Sequence, residues 1–268
     1  MSSRYGIIPR LKRKKIQETL ATGKRMDGRG LGDYREISIR TGIIEKAEGS
    51  AEVYLGETRV LVGIKIGVGA PFEDTPDEGV LVCNAEFVPV ASPAFEPGPP
   101  DEKSIELARV VDRGLRSAEV VDFSKLCIIP GKKVYVVHVD LYILNHAGNL
   151  IDASAVAALA ALRGAMKPVY KIEDDEAVLT EKKEPLKVRK LPVAVTIAKI
   201  GESFVVDPSA DEEEVMDARL TVTVDDDGNI CTLQKSGSEG LTLDEIKKAI
   251  NIAVEKAPEI RAKITGSE

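Results

Sequence analysis

Three arginines share one face of a helix that apolar periodicity predicts from about Ser104 to Ala118. They are spaced four and three residues apart: Arg109, Arg113 and Arg116. Like charges at this spacing repel each other at a cost of roughly 0.2–0.5 kcal/mol per pair. An external anion would offset this cost, and phosphate suits the planar guanidinium group. These arginines are therefore candidate phosphate ligands.

Salt bridges within the same helix are the alternative interpretation of these arginines. Glu106 lies three positions from Arg109 and could compensate its charge. Asp112 lies four positions from Arg116 and could do the same. Arg113 has no acidic residue three or four positions away. The sequence therefore predicts Arg113 as the arginine that is most available to an external anion.

A second candidate anion site lies where residues 142–165 predict a strand, a glycine turn and an alanine-rich helix. The N-terminus of a helix presents unpaired N–H groups and a positive dipole end, which attract anions. This chain places Asn149 and Leu150 there, and Leu150 offers neither a charge nor a donor. We therefore predict an enzyme-like scaffold whose own anion site is degenerate.

A cluster of carboxylates follows in the second half of the chain. Its members are Asp211, Glu212, Glu213, Glu214 and Asp217. Clustered carboxylates can hold a magnesium ion or supply a general acid. Acidic runs are also common in solvated loops, so the role of this cluster stays open. We assign no cofactor and no metal site to the chain.

The remaining candidate groups do not form a recognisable catalytic set. His138 and His146 have no visible Ser or Cys partner for nucleophilic catalysis. The glycines of GIKIGVGAP, residues 63–71, match neither a P-loop nor a dinucleotide fingerprint. The three cysteines are odd in number and widely separated, which argues against a disulfide framework and a zinc site.

The charge distribution restricts how the chain could contact nucleic acid. A net charge of -7 over 268 residues argues against binding RNA with the whole surface. Residues 1–25, however, carry eight basic residues and one acidic residue, a net charge of +7, which leaves -14 for the remainder. This arm could be a solvated helix face, or it could dock a partner or RNA.

Composition indicates a compact protein that stays in water. Hydrophobic residues make up 43% of the chain, which is enough for a substantial core. The sequence has no apolar run of membrane-spanning length, and its N-terminus, SSRYGIIPRLKRKK, lacks the apolar region of a signal peptide. We therefore expect a cytoplasmic protein with no membrane partner.

Strands followed by a helix recur in both halves of the chain, which predicts the α+β class, with mixed sheets and helices packed on one face. Residues 58–68 alternate clearly between apolar and other side chains. The predicted helix at 104–118 has an expected buried stripe of Ile105, Ala108, Val111, Leu115 and Ala118. The expected segments are a basic N-terminal helix or arm (1–35), an N-terminal half (36–170), a charged connector (171–190), a C-terminal half (191–258) and a tail (259–268).

Five segments together resemble the RNase PH family of phosphorolytic exoribonucleases. They are RMDGRG at 25–30, GETRVLVGIKIG at 56–67, KSIELARVVDRGLRSA at 103–118, the strand, turn and helix at 134–165, and the segment at 205–237. The resemblance covers most of the chain, in family order, and implies an RNase PH-like fold related to domain 2 of ribosomal protein S5. Within the family, the chain is most similar to the non-catalytic RNase PH-like subunit of the archaeal exosome.

Departures from the family pattern imply that the chain is not itself an enzyme. Catalytic relatives have a Gly-Gly-Thr/Ser-Arg turn that binds the attacking phosphate, whereas this chain has Ala-Gly-Asn-Leu at 147–150. Catalytic exosome subunits carry an arginine pair where this chain has Glu102 and Lys103. Asp217 matches the last acidic residue of the catalytic pair, while Asp211 keeps a similar spacing without a secure alignment.

The resemblance also implies partners. The family arrangement is a ring of three heterodimers with a catalytic RNase PH-like subunit, topped by S1/KH or S1/zinc-ribbon cap subunits, and it acts on single-stranded RNA. Arg109 and Arg113 match the positions from which the inactive subunit reaches toward RNA, and Arg116 matches less securely. Two alternatives are a stand-alone phosphorolytic exoribonuclease with a rearranged phosphate site and a translation-associated binding protein that uses one half of the fold.

Overall fold

The computed structural model describes residues 7–173 and 176–266. Its helices are α1 (Ile7–Leu20), α2 (Glu102–Ser117), α3 (Leu150–Arg163), α4 (Ala210–Val215) and α5 (Leu243–Thr265). Its strands are β1 (Ile37–Thr41), β2 (Gly49–Leu55), β3 (Thr58–Gly69), β4 (Val80–Phe87), β5 (Cys127–Ile129), β6 (Lys133–Asn145), β7 (Met166–Glu173), β8 (Glu176–Pro185), β9 (Val193–Ile200), β10 (Ser203–Val206), β11 (Ala218–Val224) and β12 (Ile230–Ser236).

The larger sheet has six strands and carries the first half of the chain. Its order is β1-β2-β3-β6-β4, and the short β5 also pairs with β6. β4 runs parallel to β6 and has no strand on its other side among the described residues, whereas the remaining pairs are antiparallel. On β3, Val60, Val62, Ile64 and Ile66 are buried, as the alternation predicts.

The smaller sheet carries the second half of the chain. Its order is β10-β9-β11-β12, and all of its pairs are antiparallel, so only the larger sheet is mixed. The α+β class is confirmed. A separate hairpin of β7 and β8 occupies much of the expected charged connector, 171–190.

Helix α5 continues past the expected boundary at residue 258. It ends at Thr265, and Ile260 and Ile264 in its last turns are buried. The expected tail is therefore helical through Thr265, because two apolar side chains anchor it to the core. None of the described helices is both long enough and apolar enough to cross a membrane.

Helix α3 lies between the two sheets and contacts both. It packs against β2 and β3 on one side and against β9 on the other. Its alanines are buried almost without exception, from Ala153 to Ala161. The approach is so close that a Cβ atom at Gly49 would lie 2.4 Å from the carbonyl oxygen of Ala161. The small side chains thus set the spacing of the two layers, as we expected for packing.

A buried carboxylate on α3 connects it to the smaller sheet. Asp152 accepts hydrogen bonds from the Tyr34 hydroxyl (2.8 Å), the Thr196 N–H (3.0 Å) and the Thr196 hydroxyl (2.7 Å). Burial raises the pKa of Asp152 to about 6, although each of these donors favours its charged form. The helix is therefore fixed to β9 by directed polar bonds as well as by packing.

The buried face of α2 contains Ala108, Val111, Leu115 and Ala118, as the sequence predicts, but it is wider than the predicted stripe. Ile105 is 49% exposed, whereas Leu107, Val110 and Gly114 are buried. The reason is that α2 packs against β4, α3 and β12 at once, so its buried face is wider than a single stripe. A Cβ atom at Gly114 would already lie 3.3 Å from the Thr223 hydroxyl.

Helix α1 docks on the second half of its own chain. Its Ile16 and Leu20 are buried in a small cluster with Ala198, Ile200 and Val205 of the smaller sheet. One face of the basic arm is therefore an intramolecular packing surface, which neither of the two interpretations of its charge predicts.

The turn that leads into α3 has a strained backbone and close neighbours. Gly148 has a φ of +98° and Asn149 a φ of +52°, both in the left-handed region. A Cβ atom at Gly148 would lie 2.4 Å from the backbone nitrogen of Ala210. The start of α4 is thus packed directly on the turn, and only glycine fits there.

We predict that Gly148→Ala destabilises the fold much more than Gly228→Ala. Gly228 also has a positive φ, of +83°, but a Cβ atom there would meet nothing within 4 Å. Backbone strain alone should lower the free energy of unfolding by about 1–2 kcal/mol at either position, and the clash at Gly148 should add about 1–3 kcal/mol. Urea denaturation of both variants measures the difference. Equal losses would show that the α4 contact is not rigid.

Candidate functional site

The candidate anion-binding arginines of α2 differ in their partners. Arg116 donates to Asp112 (2.8 Å) and to the carbonyl oxygen of Leu81 (2.7 Å), so the expected pair with Asp112 is present. Arg109 and Arg113 are exposed and make no ion pair or hydrogen bond within the described part of the chain. Two adjacent guanidinium groups on the helix surface are therefore available to an external anion.

The structure does not contain the ion pair between Arg109 and Glu106 that helical spacing suggests. Glu106 turns instead toward the smaller sheet, where it accepts hydrogen bonds from Arg219 (3.1 Å) and from the Ser236 hydroxyl. Helical spacing could not reveal this, because Arg219 lies 113 residues further along the chain. As a result, Arg109 is as uncompensated as Arg113, and the unpaired patch is larger than predicted.

The N-terminus of α3, the second candidate anion site, is occupied by a carboxylate of the same chain. The Asn149 N–H donates to Oε1 of Glu213 (3.0 Å). The Asn149 side chain is buried and donates to Asp152 (2.8 Å) and to Asp207 (2.9 Å). Leu150 is also buried and adds an apolar wall. The N-terminus of α3 is therefore filled by side chains of the same chain.

Glu213 occupies a position between two positive groups. Besides the Asn149 N–H, its Oε1 lies 3.7 Å from Nη1 of Arg219. Burial raises the pKa of Glu213, and the charge of Arg219 and the Asn149 N–H act in the opposite direction. The carboxylate thus supplies from within the chain the negative charge that a helix N-terminus attracts.

A second buried carboxylate, Asp207, holds the turn before α3. It accepts from Arg35 through Nε (2.8 Å) and Nη2 (2.7 Å), and from Arg29 through Nη1 (2.9 Å). Arg35 also donates to the carbonyl oxygens of Ala147 (2.8 Å) and Gly148 (3.1 Å). Burial by itself would raise the pKa of Asp207, but Arg35 holds it below its ordinary value.

The arginines of the RMDGRG segment are structural anchors. Arg25 is buried and donates to Glu212 (2.9 Å) and to the carbonyl oxygens of Val206 (2.7 Å) and Asp207 (2.8 Å). Arg29 pairs with the Asp207 side chain. The segment therefore joins the N-terminal arm to residues 206–212, a role that the motif alone does not reveal.

The carboxylates of the acidic cluster diverge from one another. Lys12 of α1 forms ion pairs with Asp211 (2.6 Å) and Glu214 (2.5 Å). Glu212 pairs with Arg25 and Glu213 bonds to Asn149. Across the described residues, no three His, Cys, Asp or Glu side chains converge as they would around a metal ion.

Asp217, which the family pattern aligns with a catalytic acid, also has partners of its own. Its Oδ1 accepts from Arg13 of α1 (2.5 Å), and its Oδ2 accepts from the N–H of Gly201 (2.7 Å). It is 8% exposed and does not line the neighbouring cleft. Asp217 is therefore a docking point for α1.

The cleft itself has a volume of about 350 Å³ and lies between α2, α3, α4 and β12. Its polar lining comprises Lys103, Glu106, His146, Glu213, Arg219 and Ser236. The His146 ring stacks on Phe95 at 5.6 Å, and burial, Lys103 and Arg35 lower the pKa of His146. Arg219 faces two carboxylates, so its charge is compensated within the chain. The cleft thus combines an apolar wall with balanced charges, a poor setting for a phosphate nucleophile.

Two family models match this chain in sequence. Domain 1 of the 3' exoribonuclease family, the RNase PH family, matches residues 33–168, and domain 2 matches residues 190–256. Together they cover most of the chain, and the domain 2 match begins just after the β7–β8 hairpin.

Individual relatives match over nearly the full length. The exosome complex component Rrp42 of Thermococcus onnurineus is 52% identical over 98% of this chain and 97% of its own. The component of the same name from Methanothermobacter thermautotrophicus is 48% identical over 97% and 96%. A chain of the Archaeoglobus fulgidus exosome with RNA bound to the active site superimposes with a TM-score of 0.87 at 46% identity, over 96% of this chain and 99% of that one. The chain therefore belongs to the RNase PH family of 3' exoribonucleases.

Proposed function

We propose that this chain is a non-catalytic subunit of an archaeal-type exosome ring in the cytoplasm. It supports 3'-to-5' phosphorolytic RNA degradation by shaping the active site of a catalytic partner and by contributing arginines to RNA binding. Its similarity to Rrp42 components and to an exosome chain supports membership of such a complex. The partners would be a catalytic RNase PH-like subunit, in a trimer of heterodimers, and S1/KH or S1/zinc-ribbon cap subunits.

The hydrogen bond between Asn149 and Glu213 carries the non-catalytic assignment. Phosphorolysis needs inorganic phosphate as the nucleophile, and a phosphate at this helix N-terminus would have to displace the half-buried carboxylate of Glu213. Two anions in one partly buried site repel each other strongly, since screening by water is weak there. The ion pair of Asp217 with Arg13 also supports the assignment, because that carboxylate is already engaged within the chain.

The RNA-binding role rests on Arg109 and Arg113. Both side chains are exposed and unpaired, so a phosphate can bind them without breaking a salt bridge within the chain. Contacts of this kind hold the RNA backbone without reading its sequence. A stand-alone phosphorolytic exoribonuclease is the competing function, and it would need a phosphate site elsewhere than at the N-terminus of α3.

We predict that the isolated chain releases no nucleoside diphosphates from poly(A) RNA in the presence of inorganic phosphate. Leu150→Arg alone should not create a phosphate site, because the new guanidinium would pair with Glu213. Leu150→Arg combined with Glu213→Gln should bind phosphate roughly tenfold more tightly than the single variant, since one charge-assisted hydrogen bond contributes about 1.5–3 kcal/mol. Calorimetric titration with phosphate measures both variants.

The matched control for this series is Leu150→Arg with Glu214→Gln, because Glu214 pairs with Lys12 on the far side of α4. Equal phosphate affinity in the two double variants would contradict the role of Glu213. Robust phosphorolysis by the purified wild-type chain, lost on Asp217→Ala, would overturn the proposed function itself.

We predict that the chain assembles with its catalytic partner. Co-expression with an RNase PH-like subunit that retains the phosphate-binding turn should give one large species, and size-exclusion chromatography with light scattering should report the mass of a hexamer. Separate elution of the two proteins at micromolar concentration would contradict the assembly.

Within the assembled complex, Arg109→Ala and Arg113→Ala should each weaken RNA binding. Each loss of a phosphate contact should reduce the slope of log affinity against log salt by roughly 0.7 for a single strand. Arg116→Ala should do less, because Asp112 and the Leu81 carbonyl already hold that side chain. Fluorescence anisotropy with labelled oligoadenylate at several salt concentrations measures the three slopes. If only Arg116→Ala changes the slope, the anion site lies elsewhere.

A further inference from the structure

A groove of about 760 Å³ lies outside the cleft, beyond the Phe87 and Phe95 rings that border both. We name it the Pro-rich groove. One wall is the loop 94–101, and the other is formed by residues 84–87 of β4 and 140–142 of β6. Nothing in the proposed activity uses it, since the arginines of α2 and the N-terminus of α3 lie outside its lining.

The lining of the Pro-rich groove is acidic. It contains Glu86, Glu96, Asp101 and Asp140, and no Lys, Arg or His belongs to the described residues that line it. The known partners of the two aspartates are neutral donors: the Ser104 N–H for Asp101 and the Asn84 amide for Asp140. All four negative charges therefore remain uncompensated. A surface of this sign repels the phosphates of RNA and attracts lysine and arginine.

The groove also offers an aromatic surface for a cation. Tyr142 lies on its floor and is 37% exposed. Its pKa is raised by burial and by the charges of Asp140 and Glu86, in keeping with the negative potential here. A guanidinium or ammonium group over such a ring gains attraction beyond that of the carboxylates.

The edge of β4 gives the groove a backbone recognition surface. β4 is an edge strand of the larger sheet. On its outer edge, the carbonyl oxygen of Leu81 accepts a hydrogen bond from Arg116. The backbone N–H and C=O groups of successive residues point to alternate edges of a strand. Those of Cys83 and Ala85 therefore lie on the same outer edge as the Leu81 carbonyl. No strand of the described chain pairs with them. An extended segment could therefore add along this edge.

The opposite wall is preformed. The loop contains Pro97, Pro99 and Pro100, whose fixed φ angles restrict the backbone before any partner arrives. Phe95 anchors the same loop by packing on Phe87, with ring centroids 4.6 Å apart. Binding would thus cost conformational entropy of the partner segment but little of the loop, whose conformation is already restricted.

We propose that the Pro-rich groove binds an extended, basic segment of a partner protein. Its acidic residues select lysine and arginine side chains, and the free edge of β4 selects an extended backbone. The molecule would thus bind two kinds of ligand at separate surfaces. The exposed arginines of α2 suit RNA, whereas the negative charge of the groove repels it.

The test uses the full chain and a fluorescein-labelled peptide of four Arg-Val repeats, with binding followed by anisotropy. Glu86 and Glu96 are both exposed, so Glu86→Gln with Glu96→Gln should leave the fold intact. We expect this double variant to bind the peptide about fivefold or more weakly, as removal of two surface charge pairs implies. The matched control is Glu239→Gln with Glu255→Gln, which removes the same charge from exposed positions outside the groove and should change affinity less than twofold.

Two further measurements complete the test. A peptide of the same sequence with every backbone nitrogen methylated should bind more weakly, because it has no backbone N–H to donate to β4, and equal binding would overturn the strand-addition mode. Labelled oligouridylate, titrated without the peptide, should bind the groove variant no more weakly than it binds the control variant. Weaker RNA binding by the groove variant, or equal peptide affinity in the two variants, would overturn the proposal.

Discussion

Close packing of α3 between two sheets is the constraint on which the rest of the structure depends. Larger side chains at the buried alanine positions of α3 would separate the layers, and a Cβ atom at Gly49 would already clash with the helix backbone. Because the helix cannot move, its N-terminus is fixed beside Asp207 and the start of α4. The same framework that would position a phosphate in a catalytic relative here positions an internal carboxylate.

Charged side chains around the N-terminus of α3 are paired within the chain, whereas those on two outer surfaces are not. Around the N-terminus of α3, cations and carboxylates meet in pairs or larger groups, as Arg35 does with Asp207 and Arg219 with Glu106 and Glu213. On the outer face of α2 and in the Pro-rich groove, charges of one sign accumulate without a counter-charge. Interior groups need that compensation, since an unpaired charge costs far more there than in water. The uncompensated surfaces are the places where ligands can act.

Much of the fold could be predicted from local patterns. The alternation on β3, the Arg116–Asp112 pair and the glycine turn before α3 follow from strand, helix and turn geometry, and the structure contains all three. The contacts that fill the candidate site could not be predicted from the sequence. Glu213 lies 64 residues from Asn149, and Arg219 lies 113 residues from Glu106, so no helical or strand period relates them. Four of the five residues in the predicted stripe on α2 are buried, but the exposure of Ile105 and the burial of Leu107 could not be predicted, since packing against three neighbours is a tertiary property.

The anchoring of the N-terminal arm has a consequence for how the chain is made. Arg25 and its acceptor Glu212 are 187 residues apart, and Arg13 and Asp217 are 204 apart. During synthesis the arm emerges before these acceptors, and Arg13 and Arg25 lack their acidic partners until residues 212–217 have left the ribosome. The final docking of α1 is therefore a late event, and loop closure over such a distance is slow. A prematurely terminated chain that lacks residues 198–217 has neither those acceptors nor the apolar cluster, so it leaves Ile16 and Leu20 exposed.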